Sequence, residues 1–330
     1  MKNLLLRWVY IVAFYSGIIA LFYWLNRRRR VVIAYHNVLP DELFDNTLHL
    51  GASHSANVFE RQIEIIAKRW PVRRAEACLI TFDDGYANQF EIVAPILDRH
   101  NRLAVFFVTL DLVVNRKMLW PDRFLMWVSY VPSGTYELLG HIVIVEGNDS
   151  RSRCWNWIWN QANANYSGLA DLSDAMEAAF PFDSLPIDEE LRALRFEGMT
   201  LAQIRELARK GHRIGCHSYR HDILARISEA ALSEDFSKCE DAIGDVFNCA
   251  LYAYPFGSPG EVTEREQLAC RKSRFRHAFL YVASVESRNM DVDYAIPRIT
   301  LPNTLNRPLI EAQLSGLERF LKKVAGRAAR

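Results

Sequence analysis

Short apolar runs alternate with amphipathic segments along most of this 330-residue chain, and that alternation is the strongest constraint on its fold. Each apolar run has the length of a buried strand, and each amphipathic segment carries apolar residues at helical spacing. Strands that alternate with helices form parallel βαβ units, because a parallel pair needs a long crossover connection. The predicted strands are Val31–Tyr35, Ala77–Phe82, Leu103–Leu110, His212–Cys216, Ala250–Tyr254, His277–Val282 and a closing strand over Ala295–Ile299.

The predicted helices fall between these strands, and one long segment interrupts the alternation. The helices cover Val58–Arg69, Asn88–His100, Leu201–Lys210, Glu229–Val246, Val262–Arg271 and, with a basic polar face, the last twenty residues. Residues 114–198 show no such rhythm and are rich in Trp, Asn and Ser. We interpret this insertion either as a segment that faces the substrate or as a cap that completes the core.

Acidic and histidine side chains follow directly after two of the predicted strands. In Asp83-Asp84-Gly85 the glycine lets the chain turn, so that both carboxylates can face one pocket. Two neighbouring carboxylates ionise together at low cost only beside a cation. His217 and His221 have a spacing of four, which on a helical turn places both imidazoles on one face, as in metal chelation. Because α/β barrels keep their active sites at the carboxyl ends of strands, the sequence predicts a metal site there.

Three motifs together resemble those of the polysaccharide deacetylases, carbohydrate esterase family four. The family motif TFDDG stands as Thr81–Gly85, the motif H-[ST]-x-x-H as His217–His221, and a Pro-aromatic-Gly turn as Tyr254–Gly257. The resemblance covers about residues 31–302, apart from most of the insertion. It implies a distorted (β/α) barrel, so the expected fold class is α/β, with an N-terminal transmembrane helix and an inserted segment.

The resemblance also implies roles for individual residues. Asp83 corresponds to the general base, and Asp84 to a metal ligand together with His217 and His221. The backbone N–H of Phe256 corresponds to the donor that stabilises the oxyanion. The expected cofactor is a divalent metal, with Zn²⁺ first and Co²⁺, Ni²⁺ or Mn²⁺ also compatible with such ligands. The expected reaction is hydrolysis of the N-acetyl group of an amino sugar in a polysaccharide or lipid-linked glycan, with release of acetate.

The chain departs from the family pattern at two points. Many members carry an arginine that tethers the catalytic aspartate just before the Pro-aromatic-Gly turn, where this chain has Ala253 and Tyr254; Arg298 is the candidate to take over that role. Many members also have a late Leu-x-His motif, which is absent here. A branch with rearranged motif order carries a Tyr-His element early in the chain, so His36 is predicted to be the general acid, with His277 in reserve. Tyr254 and Arg298 are assigned with Phe256 to the pocket.

The N-terminus carries the clearest targeting signal. Trp8–Leu25 is an uncharged apolar run of 18 residues, about long enough to span a hydrocarbon core. It is flanked by aromatic residues and followed by Arg27–Arg30, with no cleavage site for a signal peptidase. We therefore expect residues 1–30 to be a single-pass membrane anchor, 31–302 the deacetylase barrel and 303–330 a basic C-terminal helix. The positive-inside rule leans towards a cytoplasmic catalytic domain.

The net charge restricts the partners. The formal charge of +1 at pH 7 argues against nucleic acid as a partner, because such proteins carry a basic excess. The expected partners are thus an N-acetylated glycan and, through residues 8–25, the lipid bilayer. Two non-enzymatic alternatives stay open: a catalytically decayed glycan-binding module, and a membrane-tethered scaffold.

Overall fold

The computed structural model describes residues 2–44, 53–71, 76–258, 260–281 and 293–328. Among these residues the strands are β1 (Val31–Tyr35), β2 (Asn37–Leu39), β3 (Ser53–Ser55), β4 (Cys78–Phe82), β5 (Ala104–Val108), β6 (Gly134–Leu138), β7 (His141–Val145), β8 (Arg213–Cys216), β9 (Leu251–Ala253) and β10 (His277–Phe279). The helices are α1 (Lys2–Tyr15), α2 (Ile18–Leu25), α3 (Asp41–Phe44), α4 (Ala56–Arg69), α5 (Ala94–Arg99), α6 (Leu110–Val113), α7 (Trp120–Tyr130), α8 (Asn148–Ala164), α9 (Leu169–Ala179), α10 (Glu189–Phe196), α11 (Leu201–Arg209), α12 (Glu229–Asp241), α13 (Glu264–Lys272), α14 (Arg307–Ser315) and α15 (Leu317–Ala328).

Six strands form the central sheet, in the order β1-β4-β5-β8-β9-β10, and every neighbouring pair is parallel. Helices occupy the crossovers, as a parallel sheet requires: α4 follows β1, α5 follows β4, α11 precedes β8, and α12 and α13 follow β8 and β9. The predicted α/β class with parallel βαβ units is confirmed. All six carboxyl ends therefore lie along one edge of the sheet.

The predicted closing strand over Ala295–Ile299 is an irregular segment that touches both edges of the sheet. Ile299 pairs with Ile33 of β1, and Ile296 pairs with Phe279 of β10, each as an isolated parallel bridge. Pro297 lies between the two bridged residues and has no N–H to donate, which prevents a continuous ladder. The sheet is thus curled, and this one segment bridges its first and last strands.

Aromatic side chains fill the interior of the curled sheet. Tyr35, Phe82 and Phe106 come from three adjacent strands, and their rings stack with centroid separations of 5.5 and 5.2 Å. All three are buried. Tyr35 places its hydroxyl inside as well, where it donates a 2.9 Å hydrogen bond to the side-chain oxygen of Gln62. Because each ring comes from a different strand, this stack fixes the register of the strands whose ends carry the site.

Two predicted helix boundaries differ from the structure. The helix expected over Asn88–His100 begins as a π-helical turn, Gln89–Val93, and becomes α-helical only at Ala94. Pro95 cannot donate to the preceding turn, which accounts for the change of helix type at that point. The helix expected over Glu229–Val246 ends at Asp241. The last residue of the strand expected over His277–Val282 lies outside the described residues.

The insertion is folded around a core of its own. It contains α7 to α10 and the antiparallel hairpin of β6 and β7. Its core is built on Trp127, Val131, Ile158 and Met176, all buried. Trp127 also donates its indole N–H to the carbonyl oxygen of Phe180, at 2.9 Å. The insertion is therefore a packed unit beside the sheet.

The N-terminal apolar run forms two helices, which corrects the expected single transmembrane helix. The chain bends by 79° between them, and Gly17 at the bend has a φ of +82°, which glycine adopts without a Cβ clash. In the part of the chain that the structure describes, no single helix combines the length and hydrophobicity needed to cross a membrane; by those criteria alone, the bent pair Leu6–Tyr15 and Ile18–Leu25 qualifies.

The two N-terminal helices pack on the C-terminal ones. Tyr10 and Ile19 are buried against Ala312 and Leu317. The Tyr23 hydroxyl donates a 2.8 Å hydrogen bond to buried Glu311, which also accepts from Arg69 of α4 at 2.8 Å. The expected C-terminal helix is likewise a pair, because Gly316, at a φ of +85°, separates α14 from α15. The first and last helices thus form one layer against the barrel.

Candidate active site

The predicted site residues converge at the carboxyl edge of the sheet. His36 follows β1, Asp83 and Asp84 follow β4, His217 follows β8, and Phe256 follows β9 by three residues. His277 is the exception, since it begins β10 and so lies at the opposite edge, where it is about half exposed. The reserve candidate for the general acid is therefore excluded by its position.

Asp84, His217 and His221 form a buried cluster with the composition of a divalent metal site. One possible ligand atom from each lies within 4.8 Å of the others. Asp84 Oδ1 is 3.1 Å from His221 Nε2 and 3.4 Å from His217 Nε2. Although it is buried, this oxygen has no hydrogen-bond partner among the described residues. An unpaired buried carboxylate oxygen is costly, and a cation shared by the three side chains would remove that cost. The residues present fit a divalent metal.

Charge at Asp84 is maintained despite its burial. Burial alone would raise the pKa of this carboxyl group, but the two adjacent imidazoles outweigh it and hold the pKa well below its usual range. His217 is oriented by the Ala253 carbonyl oxygen, which lies 2.8 Å from Nδ1. A proton on Nδ1 donates to that oxygen, so a bound metal would take the place of the Nε2 proton that faces Asp84 in the metal-free protein.

The two histidines do not lie on a helix, which corrects the geometric reason expected for their spacing. Residues 217–223 form an irregular loop after β8, in which Ser218 and His221 have φ values of +67° and +60°. The Ser218 hydroxyl oxygen accepts a 2.9 Å hydrogen bond from the His221 backbone N–H and holds the loop in this shape. The imidazole rings thereby come to 5.0 Å, centroid to centroid.

Asp83 is paired with Arg298 deep in the protein. The guanidinium donates to both carboxylate oxygens at 2.6 Å, and the side chains are 0% and 1% exposed. Arg298 also donates to the Leu280 carbonyl oxygen at 2.8 Å and to the Thr81 hydroxyl at 3.0 Å. Burial alone would raise the pKa of Asp83, but the charges of Arg298 and His217 and this hydrogen bonding together lower it. Arg298 thus occupies the tethering position expected for it and keeps Asp83 ionised.

His36 lies on the other side of Asp83. Its Nε2 is 3.7 Å from Asp83 Oδ2, and its ring packs edge-on against Tyr281 at 5.0 Å. Burial is the main cause of a lowered His36 pKa, and it outweighs the opposing attraction of Asp84 and Asp83. Because a lowered pKa keeps an imidazole mostly neutral near pH 7, His36 can donate a proton only after it has taken one up.

The Pro-aromatic-Gly turn places only one of its two predicted pocket residues at the site. Phe256, with a φ of +59°, packs its ring against His221 at 4.8 Å. Tyr254 points into the core, is fully buried, and donates its hydroxyl to the Tyr294 carbonyl oxygen at 3.0 Å. It does not line the pocket, because β9 alternates its side chains between the two faces of the sheet. Arg298, likewise, lies beneath the pocket as a support for Asp83.

A cavity of about 450 Å³ opens above these groups, and the insertion forms one of its walls. The lining residues are His36, Asn37, Asp83, Asp84, Tyr86, Leu119, Pro121, Asp122, Leu125, Trp155, Trp159, Arg195, His221, Phe256, Ser258, Glu261 and Tyr281. Trp120 of α7 adds a direct link, because its indole N–H donates to the His221 carbonyl oxygen at 3.1 Å. Of the two interpretations of the insertion, the structure supports the substrate-facing one.

A polar cluster on the insertion side was not predicted. Asp122 accepts a 2.5 Å hydrogen bond from the Tyr86 hydroxyl and lies 3.3 Å from the Arg195 guanidinium. Burial, its largest influence, raises the pKa of Asp122, although Arg195 opposes the shift. These three residues are far apart in sequence and carry no motif, so only the folded insertion reveals that they meet.

The turns that carry the site share an unusual backbone conformation. Asp84, Ser218, His221 and Phe256 have φ values of +77°, +67°, +60° and +59°. For residues other than glycine this left-handed region costs roughly 1–3 kcal/mol each and persists only where surrounding contacts hold it. Here the backbone is held by hydrogen bonds such as Thr109 N–H to the Asp84 carbonyl oxygen, at 2.9 Å. The ligand positions are therefore rigidly defined.

Comparison with known sequences finds one family model that matches part of the chain. Residues 175–271 match the sequence model of the polysaccharide deacetylases. The matched range contains His217, His221 and Phe256, whereas Asp83 and Asp84 lie before it. A search of the curated proteins finds none that matches this chain.

Solved structures with a similar arrangement include several deacetylases. The deacetylase PplD of Streptococcus pyogenes, in complex with acetate, aligns with a TM-score of 0.49 and 13% identity over 86% of this chain and 97% of that one. IcaB from Ammonifex degensii aligns with a TM-score of 0.48 and 17% identity, over 87% of this chain and 97% of IcaB. A polysaccharide deacetylase from Bacillus cereus aligns with a TM-score of 0.49 and 14% identity, over 88% of this chain and 69% of the Bacillus protein.

The curled parallel sheet carries a pocket of acidic and histidine side chains at its carboxyl edge. The match over residues 175–271 confirms the resemblance seen in the motifs. Over residues 175–271 the chain is similar to the polysaccharide deacetylases, and this similarity indicates an enzyme.

Proposed function

We propose that this enzyme removes the acetyl group from an N-acetylated amino sugar of a polysaccharide or lipid-linked glycan, with the help of a divalent metal. The observation that carries the proposal is the buried cluster of Asp84, His217 and His221 directly beside an ionised Asp83, in one pocket. A metal at this cluster supplies Lewis-acid activation of water and of the amide carbonyl. Zn²⁺ is the proposed ion, because carboxylate and imidazole groups are among its usual protein ligands, and Asp84, His217 and His221 would hold it.

The protein groups divide the proton transfers between them. Asp83 accepts a proton from the water whose oxygen attacks the carbonyl carbon, and Arg298 holds its carboxylate in place. The Phe256 backbone N–H donates to the carbonyl oxygen as negative charge develops there. His36 donates a proton to the sugar nitrogen as the C–N bond breaks. Acetate and the free amine leave together, so atoms and charge balance.

Removal of metal should abolish acetate release. Incubating the purified protein with a chelator and assaying N-acetylated chitooligosaccharides should lower the rate at least about 100-fold, since metal activation contributes several kcal/mol to the barrier. Added Zn²⁺ or Co²⁺ should restore it. A chelator-insensitive rate would contradict metal dependence. Glycan binding by the metal-loaded protein without any acetate release would favour the decayed binding module.

We also propose that the enzyme works on a membrane surface, held there by its N-terminal helices. Trp8, Val12 and Tyr15 share one face of α1 and are 60%, 60% and 80% exposed. Apolar residues of α2 and α15 are also exposed, among them Trp24 at 58% and Phe320 at 51%. The run of four arginines after α2 would meet anionic headgroups. The positive-inside rule favours the cytoplasmic leaflet.

Vesicle flotation tests this location. The protein should float with vesicles that contain phosphatidylglycerol, and replacing Trp8 and Val12 with glutamate should abolish flotation, because charged groups resist entry into the apolar layer. The matched control changes Ile142 and Ile144 to glutamate; these are 55% and 53% exposed but lie on the insertion hairpin. Flotation that survives the first pair of changes, or is lost equally in the second, would contradict the proposal.

A further inference from the structure

Aromatic side chains of the insertion extend away from the Asp84, His217 and His221 side chains. Trp155 and Trp159 lie four residues apart on α8, so both indoles project from one face of that helix, and both line the pocket. Trp157, on the same helix, projects elsewhere and stacks on His141 of β7, with ring centroids 4.6 Å apart. The first two tryptophans are therefore directed to the pocket, whereas the third belongs to the insertion's own packing.

The aromatic rings make a continuous path. The His221 ring lies 4.8 Å from Phe256, Phe256 lies 5.4 Å from Trp159, and Trp159 lies 6.0 Å from Trp155 with the two planes only 25° apart. The Trp120 ring stacks on the Trp159 ring, with centroids 5.9 Å apart and planes inclined by 10°, and so supports the orientation of Trp159. At each of these separations the neighbouring rings are in contact. The path begins at His221, a candidate metal ligand, and ends at Trp155, which lines the pocket and is partly exposed.

The polar groups of the pocket complement this aromatic path. Asp122 and Arg195 line the same cavity and hold each other in place, with Tyr86 as a third partner. A guanidinium has five N–H donors and a carboxylate about four acceptor positions, so both retain capacity after their mutual contact. An apolar surface with a few fixed polar groups is the composition of a site that binds a ring bearing hydroxyls.

We propose that Trp155 and Trp159 form a subsite for the sugar next to the one being deacetylated, so that the substrate is a glycan chain and a free monosaccharide is a poor substrate. The inference rests on the proposed function. The axial C–H bonds of a pyranose carry partial positive charge and meet the negative face of an indole. Binding energy gained on this remote sugar positions the acetamide at the metal cluster and thereby raises kcat/KM.

The dependence of rate on chain length tests the subsite. We would measure kcat/KM for N-acetylglucosamine and for its β-1,4-linked dimer and tetramer, with wild type, Trp155→Ala and Trp157→Ala. The wild-type ratio of tetramer to monosaccharide should be about 10–100, the range that about 1–3 kcal/mol of added binding energy produces. Trp155→Ala should bring this ratio close to one, Trp155→Phe should restore much of it, and Trp157→Ala should keep it.

Two results would overturn the proposal. One is a Trp155→Ala protein whose rates on all three substrates fall by the same factor, because that pattern reports damage to the fold. The other is a wild-type ratio near one. Direct calorimetric binding of the tetramer separates this inference from the proposed reaction. If the wild type releases no acetate but binds the tetramer more tightly than Trp155→Ala does, the reaction fails and the subsite stands; equal binding by both proteins refutes the subsite.

Discussion

Asp83→Asn should lower kcat for acetate release by about 10³-fold, in the middle of the range of about 10²–10⁴ that general acid–base catalysis supplies. Asparagine keeps the shape of the side chain but cannot accept the proton. Metal binding should persist, because Asp84, His217 and His221 are unchanged. Acetate assays together with zinc titration calorimetry check both halves of this expectation. Near-normal turnover, or loss of the metal together with activity, would contradict the assignment of Asp83 as the base.

His36→Ala serves as the companion variant, since it separates the acid from the base. An acetyl ester with a good leaving group needs no protonation as its bond breaks, whereas a sugar amide does. His36→Ala should therefore lose activity on the N-acetylated oligosaccharide and retain most of it on 4-nitrophenyl acetate. Asp83→Asn should lose both. If His36→Ala keeps normal turnover on the oligosaccharide, another group is the acid.

Arg298→Met should destabilise the fold by about 3–5 kcal/mol, the usual result of removing one partner from a buried ion pair. The cause is the Asp83 carboxylate, which would remain buried opposite an apolar side chain. Urea denaturation of the wild type and the variant at neutral pH measures the change. A loss below about 1 kcal/mol would show that water or another cation replaces the guanidinium, as for an exposed pair.

The pH dependence of this pair distinguishes its electrostatic role from a packing role. Asp83 has a lowered pKa in the folded state, so its pairing stabilises the protein above the pKa of the unfolded chain, and that stability is lost as pH falls through the folded pKa. Without Arg298, burial dominates and the Asp83 pKa rises. The acidic limb of the pH–rate profile should then move to higher pH. Arg102→Met, which removes another buried arginine remote from the site, should destabilise the protein without moving that limb.

The sequence predicted the site better than it predicted its surroundings. Asp83, Asp84 and His217 could be placed because each directly follows a buried strand, and parallel strands bring such positions to one edge. Arg298 could be proposed because a tethering cation was missing from its usual position. The first inference needs only the local pattern and the direction of the chain, whereas the second rests on the resemblance to a known family.

The remaining features depend on contacts between distant segments. The conformation of His221 depends on a left-handed Ser218 and on Trp120 of the insertion, which no local pattern reveals. Residues 8–25 have one continuous apolar signal, yet Gly17 permits a bend, and burial against α14 makes it favourable. The side of the sheet that Tyr254 faces depended on the register of a strand only three residues long.

The left-handed backbone at Asp84, Ser218, His221 and Phe256 creates a trade-off between the activity of the enzyme and its stability. At each of these positions glycine would relieve the conformational cost, so the substitutions that ease folding there are the ones that remove a ligand, its support or a pocket wall. Screening variants for heat resistance alone would therefore favour inactive proteins at these four positions. Thermostability is better sought away from the site, in the helices and loops at the opposite edge of the sheet.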